Sequence, residues 1–496
     1  MTELLGGRSV AEIADAVIAG DVSAEAITKA ALAQIDAQNP HLGAFLTVAP
    51  ELALEQARGV DDKRARGQPL GALAGVPIGL KDSLCTKDQP TTAASRILTA
   101  GGITAPHSQT PVRPYQPPYD AQVVELLRRA DAVLPGKCNM DELSMGSSTE
   151  NSAFRVARNP ADPNRTPGGS SGGTAAAVAS GMTPAALGSD TGGSVRQPAS
   201  FTGTVGIKPS FGRVSRSGLI AFASSLDQVG AFATDVAGAA RILEVIAGHD
   251  RKDATSLPAP VPRYPQACGR PVTGLRLGVP EEYFADGLHP EVEQQVRTAI
   301  ADLGRLGVTV TAIRLPHTGA AVAAYVVLAT AECSSNLGRF DGVRYGLRSP
   351  GPDDIHELYG STRCAGFGTE VKRRIMLGTY VLSAGYYEAY YRRAQRVRTL
   401  IIRDFADAFA QVDVIATPVS PTVAFELGSR TQDPLAMYLA DVYTTPASLA
   451  GLPAMSVPCG LGRDSGLPVG IQLTAPVLEE ERLLSLGAAV EQVVRS

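Results

Sequence analysis

Clustered metal ligands and paired cysteines are both missing from this chain of 496 residues. Its six cysteines are scattered without a C-x-x-C pair, which argues against a disulfide framework or a zinc site and is typical of reduced, mostly buried thiols. The six histidines are equally dispersed, with no H-x-x-x-H or H-E-x-x-H spacing. We therefore expect no bound metal and a cytoplasmic protein.

Neither a large charge surplus nor a long apolar run is present. The net charge is −4, so bulk electrostatics give no reason to bind nucleic acid, and any contact with RNA would need a local basic patch or a partner protein. No stretch approaches the ~18 apolar residues of a membrane span. The first residues, MTELLGGRSV, lack the basic and apolar regions of a signal peptide. We expect no membrane contact.

Alternating short apolar runs and helical patterns follow a helical N-terminus. Residues 1–60 read as helices, and Ser9 with Glu12 forms a capping-box pattern at the start of the first one. From Val76 onward the runs VPIGL, AQVVELLRRA and DAVLPGK alternate between strand and helix character. This pattern predicts an α/β fold with a mixed or largely parallel sheet.

The sequence pattern of the second half of the chain predicts that the α/β core continues and carries a helical insertion. A proline-rich stretch over 253–271 is the best candidate for a boundary, but the α/β pattern resumes after it. Helical segments fill about 320–410, and short strands then precede a C-terminal amphipathic helix that starts near Leu478. The simplest architecture is one domain over 1–496, with its core at about 70–250.

Two serines in glycine-rich loops carry the most chemical information. The segment GGSSGGTAAAVASGMTPAALGSDTGGSVR, residues 168–196, places Ser170 and Ser194 on either side of an alanine-rich segment that reads as a buried helix. Neither loop has a nearby histidine, yet a serine hydroxyl needs a base before it becomes a good nucleophile. The best upstream candidate for that base is Lys81, which follows the run VPIGL.

Glycine-rich loops have three interpretations. They can be simple turns, since 51 glycines in one chain form clusters by chance. A phosphate-binding loop fails in detail, because neither a P-loop nor a dinucleotide-binding spacing follows a strand here. The third is an oxyanion hole formed by the N–H groups of Thr191, Gly192, Gly193 and Ser194, in which one strong donor contributes about 3–4 kcal/mol.

Lys81 has a default interpretation as a solvated surface charge. The preceding apolar run indicates instead a buried strand end, where burial lowers the pKa of the ammonium as a lysine base requires. A neighbouring carboxylate acts in the opposite direction. The side chain of Asp82 should therefore point away from Lys81.

The block from Gly168 to Gln228 closely resembles the amidase signature family, whose members hydrolyse amides with a Ser–cisSer–Lys triad. The resemblance implies an α/β amidase fold with a central mixed sheet flanked by helices on both faces. It makes Ser194 of GGSVR the nucleophile, Ser170 of GGSSGG the bridging serine and Lys81 the base. It also implies a cis peptide between Gly169 and Ser170, and an oxyanion hole at residues 191–194.

Further segments resemble one branch of that family, the glutamine-hydrolysing A subunits of tRNA-dependent amidotransferases. They include MDELSMGSSTENSAF, GFGTEVKRRIMLGTYVLSAGYYEAYY and DPLAMYLADVYTTPASLAGLPAMSVP. For the glutamine pocket, the resemblance assigns Arg374 to the α-carboxylate and Asp441 to the α-ammonium, with Tyr325 hydrogen-bonding nearby. Since Arg374 lies in a KRR run, its alternative is a solvated helix face.

This resemblance implies a subunit that binds no cofactor itself. It would release ammonia from glutamine for a B subunit that binds misacylated tRNA, ATP and Mg²⁺, with a small C subunit completing a heterotrimer. The product would be Gln-tRNA(Gln), Asn-tRNA(Asn) or both. The alternatives are a stand-alone amidase acting on another carboxamide, and a catalytically silent scaffold. One departure from the pattern is an inserted loop over 97–118, to which the sequence assigns no role.

Overall fold

The computed structural model describes residues 8–100, 113–285 and 287–495. In this part of the chain the strands are β1 Phe45–Val48, β2 Ile78–Lys81, β3 Thr99–Ala100, β4 Arg113–Pro114, β5 Gly136–Cys138, β6 Ala185–Asp190, β7 Val205–Lys208, β8 Gln228–Ala233, β9 Arg276–Pro280, β10 Thr309–Ile313, β11 Val414–Pro418, β12 Ala454–Leu461 and β13 Pro468–Thr474. Of the predicted insertion at 97–118, residues 101–112 lie outside the described residues, while its two ends pair as β3 and β4.

The helices of the described part are α1 Val10–Ala19, α2 Ala24–Leu42, α3 Pro50–Ala65, α4 Gln122–Arg129, α5 Gly172–Ala179, α6 Arg196–Thr202, α7 Val236–Ile246, α8 Tyr264–Ala267, α9 Pro290–Arg305, α10 Ala321–Asn336, α11 Ile355–Gly366, α12 Thr369–Leu382, α13 Arg392–Phe409, α14 Pro434–Leu439, α15 Thr445–Leu449 and α16 Glu480–Arg495. A π-helical turn, Tyr387–Tyr391, precedes α13. The predicted capping box is confirmed at the start of α1, where Ser9 and Glu12 exchange hydrogen bonds.

Eleven strands form one sheet in the order β1-β5-β2-β6-β8-β7-β12-β13-β11-β9-β10. The neighbouring pairs β5/β2, β2/β6, β11/β9 and β9/β10 are parallel, and the other six are antiparallel. The sheet is therefore mixed, as predicted, and not largely parallel. Strands from both sides of the proline-rich stretch at 253–271 belong to this same sheet.

Helices cover both faces of the sheet. On one face α5 packs on β6 and β2, and α6 packs on β7, β12 and β13. On the other, α16 contacts both α7 and α9, and all three helices contact the strands beneath them. The alanine-rich segment between the serine loops is α5, and its residues up to Val178 are buried, as the sequence predicted.

Residues 321–409 contain only helices and turns, and α10 packs against both α12 and α13. Within the described residues, one helical stretch, Thr318–Arg339, is long and apolar enough by composition to cross a membrane. Buried residues make up 44% of its apolar window, and the core helix of a globular protein meets the same criterion. Because α10 packs on two neighbours, we interpret it as a core helix.

Candidate active site

Lys81 lies at the carboxyl end of β2, beside the parallel strand β6 that leads into the second serine loop. The lysine is completely buried. Its ammonium nitrogen lies 2.7 Å from Ser170 Oγ and 3.0 Å from Ser189 Oγ, with a longer contact of 3.3 Å to the carbonyl oxygen of Ser189. Two residues of the predicted triad are therefore in direct hydrogen-bond contact.

Burial sets the protonation of Lys81. It lowers the pKa of the ammonium to about 7, against the opposing charges of Asp141, Asp190 and Asp227. A lysine with such a pKa exists partly as the neutral amine near neutral pH, and only the neutral amine can accept a proton from a serine.

The adjacent carboxylate of Asp82 points away from Lys81, as predicted. Its Oδ1 lies 3.2 Å from Lys137 Nζ, and its Oδ2 accepts a hydrogen bond from the main-chain N–H of Thr92 at 3.0 Å. Asp82 therefore pairs with a different buried lysine. This pairing keeps its negative charge from raising the pKa of Lys81.

The first serine loop has the predicted cis peptide between Gly169 and Ser170. The N–H of Gly169 donates to Gln197 Oε1 at 3.0 Å, and the carbonyl of Ser170 accepts from the N–H of Asp141 at 3.1 Å. A Cβ at position 169 would lie 2.1 Å from Asp141 Oδ2, so only glycine fits there. These contacts hold the Ser170 hydroxyl at Lys81.

Ser194 lies at the end of the second loop, and it retains a little exposure (6%) whereas Ser170 and Lys81 have none. The two loops touch through their main chains, since the N–H of Ser171 donates to the carbonyl of Ser194 at 3.3 Å. In the described part of the chain, the Ser194 hydroxyl makes no hydrogen bond. The contact between Ser170 and Ser194 that a proton relay requires is thus not formed in this structure.

The N–H groups of Thr191, Gly192, Gly193 and Ser194 are available for an oxyanion. None of the four donates a hydrogen bond to another described residue. The Thr191 hydroxyl donates to Asp227 Oδ1 at 2.7 Å, and Asp227 Oδ2 accepts from the N–H of Phe222 at 2.8 Å. The loop is therefore fixed by its side chains and carbonyls while its N–H groups remain free.

Arg196 fixes the other end of this loop, although the sequence analysis gave it no role. Its guanidinium is completely buried and pairs with both carboxylate oxygens of Asp190, at 3.0 and 2.9 Å. It also donates to Gln472 Oε1 at 2.7 Å, Ser448 Oγ at 2.8 Å and the carbonyl of Thr444 at 2.8 Å. The pair joins the two ends of the segment that carries the free N–H groups.

Asp441 reaches the same loop. Its Oδ2 accepts a hydrogen bond from Ser147 Oγ at 2.5 Å, while its buried Oδ1 has no hydrogen-bond partner among the described residues. A Cβ on Gly193 would lie 3.0 Å from this free Oδ1. Burial raises the pKa of Asp441 to about 7. A ligand ammonium at Oδ1 would supply both the missing partner and the charge that favours ionisation.

Arg374 is a buried residue of α12 and not the solvated helix position that its KRR run allowed. Its guanidinium lies over the rings of Phe222 and Tyr438, with its central carbon 5.5 and 5.1 Å from their centroids. Its Nε donates to Glu370 Oε1 at 2.8 Å. In the described part of the chain, its two terminal nitrogens make no hydrogen bond.

Tyr325 on α10 faces Gly192, where an added Cβ would lie 2.9 Å from the phenol oxygen. Burial raises the pKa of Tyr325, and the charges of Arg374 and Asp441 act on it in opposite directions. The three residues predicted for the glutamine pocket therefore lie within electrostatic reach of one another, beside the loop that ends at Ser194.

Besides Arg196, sequence reasoning missed four supporting residues, namely Ser147, Asp190, Asp227 and Glu370. Two of them left a signal: Asp190 directly precedes the TGGS loop, and Glu370 stands four residues before Arg374 on a predicted helix, the spacing of an ion pair. Among the described residues, no group of three or more His, Cys, Asp and Glu side chains could hold a metal ion.

Comparison with known proteins identifies the family. A family model described as Amidase matches residues 26–484. The A subunit of glutamyl-tRNA(Gln) amidotransferase from Moorella thermoacetica is 55% identical over 481 residues, which cover 97% of this chain and 95% of that protein. The protein of the same name from Chloroflexus aggregans is 54% identical over 478 residues, which cover 96% of this chain and 94% of the relative.

A solved structure agrees with these relatives. The crystal structure of the glutamyl-tRNA(Gln) amidotransferase A subunit from Thermotoga maritima is 40% identical and superimposes with a TM-score of 0.77, covering 95% of this chain and 91% of that one. The chain therefore belongs to the amidase family, and its sheet and helices form the fold expected for that family.

Proposed function

We propose that this chain is the glutamine amidohydrolase subunit of a tRNA-dependent amidotransferase. Near-full-length relatives that are named as the A subunit of glutamyl-tRNA(Gln) amidotransferase support this proposal. The observation that carries it is the presence of a carboxylate and a guanidinium, each with unpaired polar atoms, beside the Ser194 loop. Among the residues that the structure describes, one carboxylate oxygen of Asp441 and the two terminal nitrogens of Arg374 have no hydrogen-bond partner. Glutamine carries the complementary ammonium and carboxylate on one carbon.

Acylation would begin with neutral Lys81. Its amine takes the proton of the Ser170 hydroxyl as Ser170 takes the proton of Ser194, and Ser194 Oγ then bonds to the carboxamide carbon of glutamine. This relay requires the Ser194 hydroxyl to turn towards Ser170. The negative charge on the carboxamide oxygen meets the free N–H groups at 191–194, which stabilise the tetrahedral intermediate.

Release of ammonia would return the proton. Protonated Lys81 gives a proton back through Ser170 to the leaving nitrogen, the carbon–nitrogen bond breaks, and a glutamyl ester remains on Ser194. Water then attacks this ester, and its proton follows the same path to Lys81. Collapse of the second intermediate breaks the ester bond, Ser194 regains a proton and glutamate leaves.

The ammonia would serve a partner. We propose that a B subunit uses ATP and Mg²⁺ to activate misacylated tRNA and combine it with this ammonia, giving Gln-tRNA(Gln), Asn-tRNA(Asn) or both. A small C subunit would complete the complex, in the cytoplasm. The chain itself would act as a single amidase domain without a cofactor. Its net charge of −4 fits a subunit that leaves tRNA binding to a partner.

The glutamine pocket is tested by Arg374→Ala and Asp441→Asn. Each change removes one charge that we assign to the substrate backbone, so each should raise KM for glutamine about 10–100-fold with a smaller effect on kcat. The measurement is steady-state ammonia release from three amides: glutamine, 4-aminobutanamide, which lacks the carboxylate, and glutaramate, which lacks the ammonium.

Each pocket variant should hydrolyse the amide that lacks the corresponding charged group as well as the unmodified chain does. Arg374→Ala should leave activity on 4-aminobutanamide unchanged, and Asp441→Asn should leave activity on glutaramate unchanged. Glutamine hydrolysis that survives both substitutions at the original KM would favour the alternative, a stand-alone amidase acting on another carboxamide.

Assembly is tested with the full-length chain and its candidate partners. We expect the chain alone to hydrolyse glutamine weakly and the co-purified complex to hydrolyse it faster. Only the complex should convert Glu-tRNA(Gln) or Asp-tRNA(Asn) to the amidated product, and only with ATP. Robust arylamide turnover that neither glutamine nor the partners affect would contradict the proposal.

A further inference from the structure

Glu370 precedes Arg374 by one helical turn on α12, and it belongs to neither the predicted triad nor the predicted pocket. Its side chain is 12% exposed and that of Arg374 is 8% exposed, so the pair is largely shielded from water. Glu370 Oε1 accepts two hydrogen bonds, from Arg374 Nε at 2.8 Å and from the Tyr438 hydroxyl at 2.9 Å. Its Oε2 accepts another from Arg373.

This contact decides which edge of the guanidinium is open. An arginine binds a carboxylate with two parallel N–H groups, either through Nε and one terminal nitrogen or through both terminal nitrogens. Glu370 occupies Nε and so removes the first choice. The end-on edge, formed by Nη1 and Nη2, is the edge without a hydrogen bond in the described part of the chain.

Two aromatic rings fix the plane in which that edge lies. The guanidinium carbon is 5.5 Å from the Phe222 centroid and 5.1 Å from the Tyr438 centroid, distances at which a cation is attracted to a ring face. Tyr438 therefore contacts Arg374 with its ring and Glu370 with its hydroxyl. Together these contacts limit both the tilt and the rotation of the guanidinium.

The charge on Glu370 is also maintained. Burial by itself would raise the pKa of this carboxyl, but the charge of Arg374 and the hydrogen bonds from Arg374 and Tyr438 outweigh it and hold the pKa below its usual value. The residue is thus an anion that binds one side of Arg374 at neutral pH. Without it, Arg374 would be a buried cation lacking a partner whenever substrate is absent.

We propose that Glu370 is the positioning residue for substrate selection, orienting Arg374 so that its end-on edge receives the α-carboxylate of glutamine. This inference rests on the proposed function, since it takes Arg374 as the carboxylate-binding residue. Glu370 and Arg374 would then together select α-amino acid amides over simple amides, and Tyr438 would support both residues.

The test compares Glu370→Ala and Glu370→Gln in the full-length chain, assayed alone and with its partners. Loss of a hydrogen bond to a charged group corresponds to roughly 10–100-fold in binding, so Glu370→Ala should raise KM for glutamine by that factor and change kcat less than about threefold. Glu370→Gln keeps an acceptor oxygen and should recover part of the loss. Tyr438→Phe should raise KM by a smaller factor.

Two controls separate positioning from general damage. Activity on 4-aminobutanamide, which has no carboxylate to place, should be the same in Glu370→Ala and wild type. Glu388 also lies four residues before an arginine, Arg392, and its Oε2 is 2.6 Å from Arg392 Nη1, but this pair is on the surface. Glu388→Ala should therefore change the hydrolysis of neither amide. Thermal melting of each variant shows whether the fold is retained.

The possible outcomes distinguish this inference from the function on which it rests. If Glu370→Ala weakens hydrolysis of both amides equally, or leaves KM for glutamine unchanged, the positioning role is wrong. If Arg374→Ala itself leaves KM for glutamine unchanged, the assignment of the carboxylate pocket fails. A glutamine-specific rise in KM with both variants supports both proposals.

Discussion

Ser194→Ala should abolish ammonia release from glutamine, with kcat falling by roughly 10⁴–10⁶-fold, the range seen when a nucleophile of a serine hydrolase is removed. The substitution deletes the only atom that we propose to bond with the substrate. It removes nothing that holds the fold, because the Ser194 hydroxyl makes no hydrogen bond within the described residues. Substrate binding should survive, since the open charges of Arg374 and Asp441 remain.

Ser171→Ala is the matched control for the nucleophile. Ser171 lies next to Ser170 in the same loop, but its hydroxyl donates to the carbonyl of Ser189 at 3.1 Å and makes no hydrogen bond to Lys81. This variant should keep most of its activity. Ammonia release is followed with a coupled assay, and retention of glutamine hydrolysis by Ser194→Ala would show that the proposed mechanism is wrong.

Lys81→Met should lower kcat by about 10⁴-fold or more, because the proposed relay then has no base and no proton to return to the leaving ammonia. Methionine resembles lysine in length and suits a completely buried site, so we expect the variant to fold. Lys208→Met is the control. Lys208 is also a buried lysine with a pKa lowered by burial to about 7, but its ammonium donates to the carbonyls of Leu452 and Pro209.

The pH profile of the unmodified chain provides a second measurement for Lys81. In the proposed relay only the neutral amine of Lys81 is active, and burial lowers its pKa to about 7, so kcat/KM should reach a plateau above this pH. Below pH 7 it should fall about tenfold per pH unit as the amine is protonated. Glutaramate is the substrate for this measurement, since without an ammonium it does not report on Asp441, whose pKa is also about 7. A flat profile between pH 5 and 8 would contradict the role of Lys81.

Local sequence signals predicted the strands and helices nearest the chemistry. The run VPIGL predicted the buried strand that ends at Lys81, and the alanine-rich segment predicted the helix between the serine loops. A carboxylate beside Lys81 would raise the pKa of the lysine, and this argument correctly predicted that the Asp82 side chain points away from it. These inferences succeeded because each depends on neighbours in sequence or on the environment of one group.

The remainder of the site depends on contacts between distant parts of the chain. Nothing near Glu370 shows that Tyr438, 68 positions away, will share its oxygen. Arg196 likewise meets partners on β13 and α15 that only the folded sheet brings together. The separate roles of Ser170 and Ser194 followed only from the family resemblance, because spacing alone does not reveal which serine lies at the lysine.

Asp227 joins two parts of the proposed site that recognise opposite ends of a substrate. One of its oxygens binds the Thr191 hydroxyl in the loop that would receive the reacting carbonyl, and the other binds the N–H of Phe222, whose ring lies under Arg374. The loop that would bind the reacting carbonyl and the ring that supports Arg374 are thus both held by the Asp227 carboxylate. Loss of the Asp227 carboxylate should therefore loosen the Thr191 loop and the support of Arg374 at the same time.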